Sequence, residues 1–360
     1  MNEYNQKRKL LIVNPNQFGY SAGYNYYCKY LKDEFDIDFL YIDRGLVKVD
    51  EPGVQIIYRN SKKNRIKNLL SFILYAIKLS RQKDYDVIFC VYFRWVYLLG
   101  LFCKGGKKIL DIRTGSLSDN KIIRFFYNRM NLFTSLFFDK ITILSLHLSK
   151  LLILPNKKIF LLPLGASVLD GTPKRFDKIH LIYIGTFHKR HIEKTIEGFA
   201  RFYSMHAGRV SLKYDIIGFS HIEDDVTKIK STISKNNLNE IVLFHGRKNH
   251  QQLKEYMQNA TIGVCFVPQT PYYDVQPPTK IFEYALSGLI TIATDTTENR
   301  RVITDINGII CMDNEDSFCE ALEIVYANLG KYDDSKIRHS LSEYNWEKIV
   351  KNILLPILRN

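Results

Sequence analysis

Short apolar runs separated by small-residue loops recur along the 360-residue chain. Leu10-Leu11-Ile12-Val13, Val87-Ile88-Phe89-Cys90-Val91, Ile109-Leu110, Ile141-Thr142-Ile143-Leu144 and Ile159-Phe160-Leu161-Leu162 lack polar alternation. That pattern predicts strands buried on both faces, as in a parallel sheet. A helix from about Tyr24 to Phe35, then a strand over Phe39–Ile42, makes a strand–loop–helix–strand unit. Ile66, Leu69, Leu70, Ile73 and Ile77 carry helical spacing within residues 61–83. Leu164-Gly165-Ala166 and Gly171-Thr172-Pro173 punctuate the chain like a linker. A second series follows, with strands at His180–Gly185, Tyr214–Gly218, Ile241–Phe244, Ile262–Phe266 and Leu289–Ala293. Helices at Ile192–Met205, Gln251–Asn259 and Ser317–Leu329 alternate with them, and an amphipathic tail holds Trp346. The expectation is α/β, with two Rossmann-like doubly wound domains over 1–170 and 171–340 and a terminal segment at 341–360.

Charge changes this picture on one side only. The net charge is +14, and residues 1–170 supply +13 of it. Such asymmetry predicts an anionic partner for the first half. No nucleic-acid motif is present, so a membrane surface is the expected partner and nucleic acid is not. Lys62, Lys63, Arg65, Lys67, Lys78, Arg81 and Lys83 flank the helix at 61–83, where Phe72, Leu74 and Tyr75 widen the apolar surface. Lys121-Ile122-Ile123-Arg124-Phe125-Phe126-Tyr127-Asn128-Arg129 repeats the combination. Basic helices with excess apolar surface can lie in a membrane interface. The start, Met1-Asn2-Glu3-Tyr4-Asn5-Gln6, leads directly into a strand with no secretory signal, and no run is long enough to span a bilayer. The six cysteines form no zinc or C-x-x-C spacing, which predicts reduced thiols. The expected place is cytoplasmic, peripheral on the inner face of the cell membrane.

Candidate chemistry centres on Pro277-Pro278-Thr279-Lys280-Ile281-Phe282-Glu283-Tyr284-Ala285-Leu286-Ser287-Gly288. The prolines force an extended approach, Thr279 is the expected N-cap, and Gly288 suits a left-handed C-terminal cap. Helix amides there favour an anion such as a diphosphate, and a Glu283 carboxylate can accept from a vicinal diol. Gly19 and Gly23, in the loop that also contains Ala22, would admit a ligand close to the backbone but do not fit G-x-G-x-x-G. Arg113 leaves a strand at its carboxyl end, where open α/β sheets bind ligands. Asp36-Ile37-Asp38 imitates a D-x-D metal motif, but its place in a strand predicts a solvated edge. His188, His191 and His245 are expected in loops, and no metal-ligand cluster is legible.

The ordered set Tyr-Ile-Gly-x5-Arg-His, Asp-Ile-Ile-Gly-Phe, Val-x-Phe-His-Gly-Arg and Pro-x2-Lys-Ile-Phe-Glu-Tyr-Ala-x2-Gly, over about 178–330, resembles the nucleotide-sugar domain of retaining glycosyltransferases of family four. The resemblance implies the GT-B fold, its two domains facing a cleft, and a hexosyltransferase that needs no cofactor or metal. It implies a nucleoside-diphosphate sugar donor and a glycan or lipid-linked acceptor, as in cell-surface polysaccharide synthesis. By position, Glu283 takes the ribose hydroxyls, Lys280 and Thr279 lie beneath the diphosphate, and Arg190 or Lys189 contacts it. Gly246 and Arg247 cup the base, and the strand-end glycines Gly185 and Gly218, with Gly19 in the first domain, border the donor. Val275 stands where the family usually has Glu, with Asp274 beside it as the candidate in that role. Thr186 replaces a usual Arg, and Arg113 lies about where a first-domain histidine is common. Tyr344-Asn345-Trp346-Glu347 resembles the family's terminal helix, which crosses back to the first domain. Two other readings are a sugar-nucleotide epimerase of the same fold, which would need an acid–base set not found here, and a non-enzymatic basic binder of membrane or nucleic acid.

Overall fold

The computed structural model describes residues 7–360 apart from 22, 62, 117–119 and 277, and apart from the His250 side chain. Residues 1–6, Ala22, Lys62 and Pro277, named above, therefore lie outside the described residues. The chain divides into two compact units, one of residues 1–164 with 346–360, the other of 165–345.

The first unit runs β1 (Arg8–Val13), α1 (Tyr24–Leu31), β2 (Phe35–Asp43), β3 (Val54–Asn60), α2 (Arg65–Gln82), β4 (Val87–Val91), α3 (Tyr97–Phe102), β5 (Lys107–Ile112), α4 (Lys121–Ser135), β6 (Lys140–Ile143), α5 (Leu146–Leu151) and β7 (Ile159–Leu161). Its seven parallel strands lie in the order β3-β2-β1-β4-β5-β6-β7. The order reverses at β1/β4, which opens a crevice at the carboxyl ends of those strands. Four of the apolar runs read from sequence are the interior strands β1, β4, β5 and β6, with β4 buried throughout. The fifth, Ile159–Leu162, is corrected, because β7 is an edge strand with no neighbour on one side and Leu161 is exposed. Three further local readings are corrected. The first helix stops at Leu31, and β2 begins at Phe35. Asp36 is exposed, whereas Asp38 is buried and paired with Lys83 at 2.6 Å; β2 lies between β1 and β3, so the D-x-D is no sheet edge. On α2 the buried stripe is Phe72, Ile73, Ala76 and Leu79, while Ile66, Leu70 and Leu74 are exposed.

Residues 346–360 belong to this first unit. Trp346 stacks on Tyr26 and meets Tyr27 edge-on, with ring centroids 5.4 and 6.0 Å apart. A Cβ on Gly23 would lie 2.5 Å from the Trp346 ring, so glycine is what admits the indole.

The second unit runs β8 (Ile179–Thr186), α6 (Ile192–His206), β9 (Leu212–Phe219), α7 (Glu223–Lys235), β10 (Val242–Gly246), α8 (His250–Asn259), β11 (Ile262–Cys265), α9 (Pro271–Asp274), α10 (Thr279–Leu286), β12 (Ile290–Thr294), β13 (Gly308–Cys311), α11 (Glu315–Ala327) and α12 (Asp334–Ser340). Its parallel order is β10-β9-β8-β11-β12-β13, with the reversal at β8/β11. Both units are thus Rossmann-like. All six cysteines are buried and unpaired. No described helix is long and apolar enough to cross a membrane.

Candidate active site

The reversal in the second sheet puts the loop after β8 beside the start of α10. Pro278, not Thr279, occupies the N-cap position of α10, and no side chain caps it. Thr279 is the first helical residue, because the proline's extended backbone is already the shape a cap requires. Lys280 extends from this first turn to the end of β8. A Cβ on Gly185 would fall 2.2 Å from the Lys280 ammonium, so only glycine leaves that space. Lys280 Nζ donates to Tyr183 Oη at 3.4 Å and lies 4.4 Å from the Tyr183 ring centroid. Tyr183 Oη in turn donates to the Thr186 carbonyl at 2.6 Å. Burial, and then the nearby Arg190 guanidinium, push the Lys280 ammonium down to about 8.

Arg190 is the second cation of the cluster. Its guanidinium lies 4.5 Å from the Tyr273 ring of α9, and its Nε is buried with no acceptor among the described residues. Lys189 and His191 on either side both hold φ 54°. Left-handed backbone at two non-glycine residues costs energy and clusters at ligand-binding loops. Glu283, one turn into α10, is close enough to Cys265 and Lys280 to affect both electrostatically. Burial raises the Cys265 thiol to about 11 despite the two cations. Tyr284 of α10 accepts the Ile184 amide at 3.0 Å, and its ring lies against Gly263, which fixes the helix on β8 and β11.

Gly185 and Gly218 are register partners at the carboxyl ends of β8 and β9. Phe187 continues an aromatic layer from Tyr183 to Phe244, with centroids 6.0 and 5.6 Å apart. Gly246, at φ 63°, ends β10 with open space around it, and the Arg247 guanidinium lies 4.7 Å from the Phe219 ring. Asp274 accepts the Thr297 amide and hydroxyl at 2.8 and 2.9 Å, one on each oxygen, clasping α9 to the loop after β12.

The structure therefore brings together Lys280, Arg190, Gly185 and Glu283, with Gly218 paired to Gly185. Arg113 and Gly19 belong to the first unit. Arg113 is half-buried and held there by Asp111 at 2.6 Å, by the Leu162 carbonyl and by Tyr27. Burial lowers its basicity and raises the Asp111 carboxyl. Gly19, at φ 83°, fits closely against Val49.

One charged group escaped sequence reading. Asp215 on β9 is buried between His180 Nε2 at 2.6 Å and His245 Nε2 at 2.7 Å. Burial opposes its charge, but the two imidazoles hold it below the usual carboxylate range. The sequence signal is an aspartate in a largely apolar strand, two residues after Lys213, whose ammonium lies 3.4 Å from it.

Residues 178–328 match the sequence model of the family described as Glycosyl transferases group 1. No curated relative matches the chain by sequence. Among solved structures, the sucrose-phosphate synthase of Thermosynechococcus elongatus superposes with TM-score 0.72 at 16% identity, over 98% of each chain. HepE of Anabaena in complex with UDP and glucose gives TM-score 0.73 at 10% identity, over 98% of this chain and 100% of that one. The apo form of WaaB, a lipopolysaccharide outer core galactosyltransferase, gives 0.69 at 14%, over 97% and 99%. At such identities these likenesses carry the fold, which is GT-B. The matched domain and that fold together define the class, and the chain is a glycosyltransferase.

Proposed function

We propose that the protein is a retaining enzyme of family four that moves a hexose from a nucleoside-diphosphate sugar to a lipid-linked or glycan acceptor in cell-surface polysaccharide synthesis. The observation that carries this reading is the Lys280–Arg190 pair at the β8/β11 reversal. Two cations meet there, one of them with a buried, unsatisfied N–H, at the free start of a helix. That arrangement suits the diphosphate, whose charge grows as it leaves. HepE bound to UDP and glucose is a neighbour of matching fold, which favours a uridine donor. In the proposed step the acceptor oxygen bonds to the anomeric carbon on the face from which the diphosphate departs. The bond from that carbon to the diphosphate oxygen breaks, and the departing diphosphate takes the acceptor proton.

Glu283 is assigned to the ribose diol. Glu283→Gln keeps shape but exchanges one charged acceptor for an amide. Its expected effect is about a tenfold loss of donor affinity, as for a hydrogen bond to a charged group. Calorimetric titration with UDP-glucose and UDP-galactose measures it, and unchanged affinity would remove Glu283 from the site. Incubating donor without acceptor tests the transfer itself, because epimerised sugar nucleotide would overturn it.

The acceptor side is assigned to an anionic membrane surface. Support comes from α4, which is inside out for a water-exposed helix. Asn131, Thr134 and Ser135 are buried, while Phe125, Phe126, Met130 and Phe133 are exposed and Ile122 and Phe126 each stand 66% open. Lys121, Arg124 and Arg129 are interspersed. A cationic helix with aromatic side chains outward gains both apolar burial and attraction to acidic lipid. Phe125→Ser with Phe126→Ser should cut co-sedimentation with phosphatidylglycerol vesicles about tenfold, at unchanged melting temperature. Sedimentation equal to wild type would overturn this assignment.

A further inference from the structure

The first unit holds a cavity of about 650 Å³ whose charged lining is entirely positive. Arg44, Lys63 and Arg65 contribute the charge, and Pro15, Asn68 and Phe93 form part of the wall. Pro15 follows β1 and Phe93 follows β4, so the cavity stands at the reversal of the first sheet, at the carboxyl ends of its strands. Arg44 reaches Asn16 Oδ1 at 3.2 Å, a neutral acceptor. Among the described residues no carboxylate pairs with Arg44, Lys63 or Arg65; Asp43, the acid next in sequence, is turned to Lys48 at 3.5 Å.

Two further features make this grouping unlike an ordinary solvated basic face. Lys63, Arg65 and Lys67 crowd the start of α2, whose first turn has no acid. Cations there oppose the helix dipole, a local conflict of the kind that persists where a ligand compensates it. Asn14, immediately before Pro15, is fully buried, and its Nδ2 lacks an acceptor. Arg59 Nε, at the end of β3, is likewise buried and unsatisfied. Three cations thus line the cavity with no carboxylate partner among the described residues, and a compact polyanion would supply that partner.

We propose that this cavity binds a phosphate monoester or diphosphate carried by the acceptor substrate. The inference rests on the transferase reading above and narrows its acceptor to a phosphorylated one. Arg44, on the β2 side, and Lys63 with Arg65, on the α2 side, hold the phosphate oxygens. Phe93 and Pro15 give the attached sugar or lipid an apolar wall. Phosphate at this point would orient the acceptor without taking part in bond breaking.

The test uses inorganic pyrophosphate on the full chain carrying Lys280→Gln with Arg190→Gln, which takes both cations of the donor site away from the probe. Hydrogen exchange should show pyrophosphate-dependent protection over residues 61–69. Adding Lys63→Gln and Arg65→Gln should weaken binding at least tenfold, while Arg65→Lys retains most of it, consistent with charge-assisted contacts. No protection over 61–69, or affinity unmoved by the double change, overturns the proposal. Glucose 6-phosphate in solution and phosphatidylcholine vesicles bearing farnesyl diphosphate are then competed against pyrophosphate. Displacement by either supports an acceptor phosphate and identifies its source, and displacement by neither overturns it. With Lys280 and Arg190 intact, the Lys63/Arg65 double variant should bind UDP-sugar like wild type. Lost donor affinity there would mean that the cavity serves the donor, which also overturns the proposal but leaves the donor reading standing.

Discussion

Lys280→Met should cost the enzyme about a hundred- to a thousandfold in kcat and yet make the folded protein more stable at neutral pH. On the function proposed above, the first effect follows from removing a positioned cation from the departing diphosphate. The second follows from burial. The ammonium is pushed from 10.5 down to about 8, with desolvation the largest cause and Arg190 next. The unfolded chain therefore holds more protons than the native one between about pH 8 and 10.5. Stability rises with pH across that window, and the full penalty is present below pH 8. Its size is about 3 kcal/mol, and methionine, of similar length and no charge, avoids it. Thermal melts of both proteins from pH 6 to 10 measure the difference. The variant should melt higher at pH 7, and the two curves should converge toward pH 10. Parallel curves together with wild-type turnover would show that Lys280 is neither desolvated nor engaged with the donor. In the wild type, kcat/KM should fall as pH passes about 8, since the free enzyme then loses the proton that the proposed function sets against the diphosphate.

That site was partly legible because it is written in local grammar. Proline before a helix and an acid one turn in are neighbours in sequence, and a glycine closing an apolar run marks its own strand end, so each survives as a local signal. Where the reading failed, the cause, one cap position aside, lay across distance. Thr279 lost the cap position to Pro278, a choice between adjacent residues that composition leaves open. Asp38 looked solvated until Lys83, forty-five residues on, was found beside it. The triad of His180, Asp215 and His245 spans three strands and has no local signature. β3, Val54–Asn60, went unread because its residues are half-exposed at the sheet edge and neither alternate nor run apolar. The segment Lys121–Arg129, by contrast, reads as basic with excess apolar surface, and on α4 its Phe125 and Phe126 do face outward. Strands with uniform burial are thus visible from sequence, while faces and pairings are decided by the rest of the fold.

Gly218→Ala should destabilise the second unit by about 3 kcal/mol, at the upper end for overpacking by one methyl group. Gly218 lies opposite Gly185 in the β8–β9 register. A methyl group at Gly218 would stand 1.7 Å from the Gly185 carbonyl oxygen and 2.9 Å from the Phe187 ring. Backbone cannot yield there as a flexible side chain could, so the two strand ends must part. Gly185 also shapes the space that receives the Lys280 ammonium, so parting them displaces the cation and weakens the donor site too. The comparison is Gly171→Ala, where nothing lies within 4 Å of the added carbon. Chemical denaturation should separate the two alanine variants by about 3 kcal/mol, and UDP-glucose affinity should fall only for Gly218→Ala. Equal stability of the two would mean that the β8 and β9 ends yield freely. The close strand contact would then not be what holds Gly185 against Lys280.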